Sequence, residues 1–143
     1  MIPMKKIYWL VGSLFLVISI ISGCNHKDRS ILYDQEYIES QYQNIKSGYI
    51  QVEEDKVSFQ EAIFDSDDKA IMYVKEYKDK DFIKYDLSSP LDILLIEFED
   101  FETKYKKVDY KYFTDHFKDY SSRPFYVEIA DNKISAIIEI YVP

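Results

Sequence analysis

The sequence predicts an α+β fold for residues 31–143: an antiparallel sheet with an N-terminal helix and one or two further helices packed on it. Three observations lead there. Short runs rich in Ile, Val, Tyr and Phe recur between clusters of Asp, Asn, Lys and Ser, the pattern of strands and turns. Other stretches space their apolar residues at helical intervals. Hydrophobic residues make up 47% of the chain and charged residues 31%, the balance of a packed domain and not of a disordered one. At 143 residues the chain suffices for one domain with its own core.

Taken in order, Asp28 to Ser47 carries Ile31, Ile38, Tyr42 and Ile45 on one helical face, with Gly48 placed as a helix stop. Tyr49 to Glu53 and Val57 to Phe64 are β-like, and the charged Glu54-Asp55-Lys56 between them predicts a hairpin. Asp65 to Asp68 is a turn, Ala70 to Tyr77 is rich in strand formers, and Phe82 to Asp86 is a further short strand after the charged turn Asp79 to Asp81. Ser89-Pro90-Leu91-Asp92 has the form of a helix start, an N-cap serine followed by proline at the first helical position. Leu91, Leu94, Leu95, Phe98, Phe101 and Tyr105 follow at helical spacing, and the stripe is expected to pack on the sheet. Val108 to Tyr120 combines both periods and is expected to be helical from Tyr110. Phe125 to Ala130 and Lys133 to Val142 flank the turn pair Asp131-Asn132 and predict a C-terminal hairpin. Ile134, Ala136, Ile138, Ile140 and Val142 alternate as one apolar face, which predicts a central strand. A helix followed by a β-meander is similar in order to cystatin-like and nuclear-transport-factor-like domains, by arrangement alone and without a shared motif.

The first residues have a different character. Met4-Lys5-Lys6 is a short positive opening, and Ile7 to Ser22 is a nearly unbroken apolar run of 16 residues. That run is shorter than the roughly 20 residues of a spanning helix, and Ser13, Ser19 and Ser22 interrupt it. A positive start, an apolar stretch and small residues at its end are the parts of a cleavable leader. The closing residues Ile21-Ser22-Gly23-Cys24 resemble the lipobox of bacterial lipoproteins. The resemblance covers this segment only. It implies that residues 1–23 are a signal peptide, that Ile21, Ser22 and Gly23 are recognised by the signal peptidase, and that Cys24 receives a diacylglyceryl group and becomes the first residue of the mature chain. Residues 24–30 would then be a polar tether. A thiolate suits this chemistry because it is a strong nucleophile that forms a stable thioether. Two acyl chains anchor durably where one binds only marginally. Cys24 is the one cysteine in the chain, so no disulfide is available to the domain.

The net charge of −8 opposes binding to phosphate backbones, so nucleic acid is not an expected partner. It also disfavours an electrostatic grip on anionic lipid, which leaves the lipid on Cys24 as the expected contact with the membrane, on its extracytoplasmic face. Asp65, Asp67 and Glu76 fall at positions one, three and twelve of a calcium-loop pattern, but Lys69 and Ala70 occupy positions five and six, so a solvated acidic turn is expected instead. The two histidines, His26 and His116, have no partner at zinc-ligand spacing and no nucleophile in a recognisable setting. Glu97, Glu99, Asp100 and Glu102 are expected on a solvated helix face. No metal or other cofactor is implied. The 14 tyrosines fit either packed strands or a binding surface. The expected role is a non-enzymatic binding or interaction module at the cell envelope with a protein or peptide partner, for instance in exclusion or immunity. A solute- or metal-binding lipoprotein and an inhibitor of an envelope hydrolase are the alternatives.

Overall fold

The computed structural model describes residues 31–142. Ile21, Ser22, Gly23, Cys24 and His26, with the predicted leader and tether, lie outside the described residues.

The described chain runs β1 (Leu32–Tyr33), α1 (Gln35–Gln41), β2 (Ile45–Val52), β3 (Lys56–Ser66), β4 (Met72–Tyr77), β5 (Ile83–Glu99), β6 (Glu102–Val108), α2 (Tyr110–His116), a 3-10 turn (Phe117–Asp119), β7 (Phe125–Ala130) and β8 (Lys133–Glu139). Sheet dominates, and antiparallel pairing dominates the sheet. Its order is β1-β6-β5-β8-β7-β2-β3-β4, and β3 also pairs with β5. That additional pairing closes a ring of five strands: β2, β3, β5, β8, β7 and back to β2. Every neighbouring pair in the ring is antiparallel except β5 with β8. Helix α2 lies in sequence between the third and fourth strands of the ring. This cyclic order is the connectivity of an OB-type barrel, a five-stranded Greek-key barrel. The expected helix-on-meander arrangement is thus replaced by a closed ring with two short helices outside it.

Closure creates two apolar cores, one on each side of the same strands. Inside the ring lie Ile50, Val57, Phe59, Ile93, Leu95, Phe125, Val127, Ile134 and Ile137, with Phe113 of α2 joining them. The Phe113 ring meets Phe125 edge-on at 5.9 Å and Phe117 at 5.5 Å, geometries favoured by aromatic quadrupoles. Outside the ring, α1 lays Ile38 and Tyr42 over Leu94, Tyr105, Ala136 and Ile138. Strands β5 and β8 are therefore buried on both faces.

That double burial corrects two expectations. The stretch from Ser89 to Tyr105, expected as a helix, is β-structure: the second half of β5, a tight turn, and β6. Ile93, Leu94 and Leu95 are consecutive and all buried, because alternate residues enter opposite cores. A two-sided strand leaves a continuous apolar run that helical spacing also fits. Ser89-Pro90 does not start a helix. It lies where the β5–β8 register jumps from Leu87 to Asp92, and a proline without an N–H is tolerated at such an irregularity. Glu97, Glu99, Asp100 and Glu102 accordingly sit on the β5–β6 hairpin and not on a helix face.

The second correction concerns β8. It is central, between β5 and β7, as expected. However, its apolar residues do not form one face. A shift in the β7–β8 register pairs Ile129 with Ile134 but Glu128 with Ala136. Ile134 therefore faces the interior, while Ala136 and Ile138 face α1. The hydroxyl of Ser135, at the shift, donates to the Glu128 carboxylate at 2.7 Å.

The expected helix over Asp28–Ser47 contracts, among the described residues, to the two turns of α1. Asp34 caps it by accepting from the Tyr37 amide at 2.8 Å. Gly48 is not a helix stop; it lies inside β2, paired with Glu61 on one side and Phe125 on the other. A Cβ there would lie 2.1 Å from the Gln60 carbonyl oxygen, so only glycine permits this approach of β2 to β3. The predicted hairpins β2–β3 and β7–β8 and the helix from Tyr110 form as expected, with Asp109 accepting from the Tyr112 amide at the start of α2.

Candidate functional site

The two outer walls of the barrel differ. The wall of β7, β8, β5 and β6 carries α1 and β1. The opposite wall, β2, β3 and β4, carries no helix among the described residues. Its outer surface is aromatic: the Tyr49 and Phe64 rings meet edge-on at 5.4 Å, and Tyr77 lies close enough for its phenol to act on Tyr49. Burial, and then Tyr77, push the Tyr49 hydroxyl above its usual range.

This wall splits at Gly48. Strand β2 pairs with β3 from Gly48 to Val52, while its residues Ile45 to Gly48 pair with β7. Strand β3 continues past that point with β4 as its partner, from Ala62 to Ser66. The diverging strands leave a cleft of about 440 Å³. Ser47, Phe64, Asp65, Met72, Tyr126 and Tyr141 line it. The Ser47 hydroxyl donates to the Ala62 carbonyl at 2.7 Å and so marks where the β2–β3 ladder ends. On the outside of the split, Lys46 and Glu61 form a solvent-exposed ion pair at 3.4 Å.

A second, shallower space of about 370 Å³ lies beside α1, between Gln35, Ile38, Glu39, Tyr42 and Tyr105. The polar groups around it are already engaged. The Tyr42 hydroxyl donates to Asp92 at 2.8 Å, Lys107 reaches the other Asp92 oxygen at 2.7 Å, and the Tyr105 hydroxyl donates to Gln35 at 3.0 Å. Burial alone would raise the Asp92 carboxyl, but the hydrogen bonds from Lys107 and Tyr42 outweigh it and hold the group below its usual range. Burial, and then the bond to Asp92, raise Tyr42 strongly. At the base of the barrel, Glu139 is 2% exposed; its carboxylate accepts from the Ile96 amide at 2.8 Å and from Arg123. Arg123 also lies 5.1 Å from the Tyr120 ring centre. These groups tie elements together.

His116 ends α2, stacked on Tyr112 at 4.1 Å, with its Nδ1 2.8 Å from the Tyr112 carbonyl oxygen. Asp67 holds the β3–β4 turn: one carboxylate oxygen accepts from the Lys69 and Ile71 amides, both at 2.9 Å. Asp65 stands at the cleft and accepts from the Ser66 amide at 2.8 Å. The tyrosines divide. Tyr33, Tyr37, Tyr42 and Tyr105 pack under α1, Tyr126 packs against that core and also lines the cleft, Tyr141 lines the cleft, and Tyr49 lies with Tyr77 on the open wall. Ser47, Phe64, Tyr126 and Tyr141 were not legible as a site, since four separate segments contribute them. One signal was present: Gly48 is the last of three glycines in the chain and stands inside a β-like run, where a close approach of backbones is the usual cause.

No protein-family model, curated protein or solved structure matches this chain.

Proposed function

We propose that this protein is a bacterial lipoprotein, cleaved after Gly23 and anchored through a diacylglyceryl group on Cys24, and that its domain is a non-enzymatic binding module on the extracytoplasmic face of the membrane. One structural observation supports the binding role: the barrel has one wall covered by α1 and β1 and an opposite wall that presents aromatic side chains around a 440 Å³ cleft. Barrels with this connectivity bind extended ligands on the outer surface of their second and third strands, here β3 and β5, and of these β3 belongs to the open wall and lines the cleft. The acidic charge of −8 favours neutral or cationic partners over nucleic acid. Exclusion or immunity toward a neighbouring envelope protein is one concrete form of such a role. The anchor supports it by confining the module to two dimensions near its partner.

The anchor is tested by intact mass and membrane fractionation of the native protein beside Cys24→Ala. The expected native product is membrane-bound, begins at residue 24 and is heavier than that chain by a diacylglyceryl group, while the variant keeps its leader. Two uncleaved products of equal mass shift would overturn the proposal.

A further inference from the structure

We infer that the cleft of the open wall takes an extended peptide, which adds as a strand to the edge of β3 centred on Phe64, between Ala62, whose carbonyl accepts from Ser47, and Ser66, whose amide donates to Asp65; the inference rests on the binding role proposed above and names its ligand. Strand β3 has two edges. One pairs with β5 from Lys56 to Phe59 and then with β4 from Ala62 to Ser66. The other pairs with β2 only as far as Glu61. Beyond Glu61 no described strand pairs with that second edge. The direction of its groups follows from two bonds. The Glu61 carbonyl accepts from Lys78 and Asp79, on the β4 side, whereas the Ala62 carbonyl accepts from Ser47, on the β2 side. Alternation along a strand then points the N–H and C=O of Phe64 into the cleft.

An open edge beside a cleft of mixed polar and apolar lining is the geometry of strand addition, in which main-chain bonds supply affinity and alternate side chains supply selectivity. Met72, Tyr126 and Tyr141 line the cleft and offer apolar surface to side chains of the incoming strand. Charge selects the rest. Asp65 lines the cleft, and Asp67 and Asp68 follow it in the β3–β4 turn with Lys69 as the one cation there, so a strand carrying lysine or arginine is favoured over an acidic one. An unblocked edge is otherwise a hazard that proteins remove, and among the described residues β3 leaves this edge unpaired only beyond Glu61, where an irregularity in its pairing with β4 falls between Ile63 and Phe64.

The test uses the full chain in detergent micelles and three synthetic six-residue peptides with blocked ends: alternating lysine and valine, alternating glutamate and valine, and the lysine peptide with alternate backbone nitrogens methylated. The expected result is that the lysine peptide shifts the amide signals of residues 62–66 and slows exchange of the Phe64 amide by about tenfold or more. The glutamate and methylated peptides bind at least about tenfold more weakly. Asp65→Lys, a change at an exposed position, reverses the preference between lysine and glutamate peptides. Equal binding of the methylated peptide overturns strand addition while leaving a binding module intact. Failure of the lysine peptide to bind at about 1 mM, or binding with shifts on the α1 wall, overturns the cleft itself as the peptide site.

Discussion

Tyr110 joins the barrel to its capping helix. It is the first residue of α2, and its hydroxyl donates to the carbonyls of Glu53 and Lys56, on either side of the β2–β3 turn. Burial, with smaller contributions from Asp55 and Glu53, pushes its hydroxyl up to about 12. An unfolded tyrosine loses its proton near pH ~10. Between these values the folded chain keeps a proton that the unfolded chain has lost, so the contribution is complete below about pH 10 and disappears as pH rises through about 12. Alkaline titration followed by tyrosinate absorbance and circular dichroism is expected to show delayed ionisation coupled to unfolding, and Tyr110→Phe is expected to remove part of that coupling. A titration identical in the variant would contradict this. Gly48 illustrates the limit of sequence here. Its isolation in a β-like run was visible, but its meaning was not. Whether a glycine ends a helix or admits a neighbouring strand depends on what lies 2.1 Å from the missing Cβ, and that neighbour, Gln60, belongs to another strand.

Hairpins and the α2 helix were legible because their signals are local. Asp131 and Asn132 both take positive φ, at 52° and 59°, as the mirror-image turn of a tight hairpin demands, and both residue types tolerate it. Asp109 supplies its own cap to α2. The β5–β6 hairpin was not legible. Its turn residues are Asp100 and Phe101, with φ of 50° and 65°, and a phenylalanine is not a turn signal. The Phe101 ring is fully exposed, so it gains no burial in return for this conformation. Phe101→Gly is expected to stabilise the domain by about 1 kcal/mol, the usual cost of a left-handed conformation for a residue with a Cβ. Urea denaturation checks it; a loss of stability would show that the exposed ring contributes packing within the domain. The missed strand at Ile93–Leu95 has a different cause: a strand buried on both sides has no polar face to reveal its period.

The molecule has two cores that share β5 and β8, and this sharing governs its unfolding. Phe113 belongs to the core inside the ring and Ile38 to the core under α1. Phe113→Ala and Ile38→Ala are expected to cost about 4 and about 3 kcal/mol, the range for large-to-small changes at buried sites. Because both cores depend on the same two strands, each variant is expected to shift one common transition and not to split it. Coincidence of tyrosine fluorescence and far-UV circular dichroism during urea unfolding checks this; separate midpoints would mean that α1 unfolds on its own. The open wall lends its inner face to the core inside the ring through Ile50, Val57 and Phe59, while its outer face carries no helix among the described residues.

By itself the sequence determined a domain with a largely antiparallel sheet, the C-terminal hairpin, the central place of β8, the start of α2 and the acidic charge that argues against nucleic acid, but it overstated the helices, which shrink to two short ones. It also supports the expectation of a lipid-anchored cysteine at position 24. Each of these rests on neighbours along the chain or on composition. Only the tertiary structure decided that the sheet closes into a ring, that β5 is one long strand serving three partners, and that β2 leaves β3 at Gly48 to open a cleft. Those features depend on which strands meet, and pairing between segments as far apart as Lys56 and Asp86, or Asp86 and Lys133, leaves no period or motif in either segment.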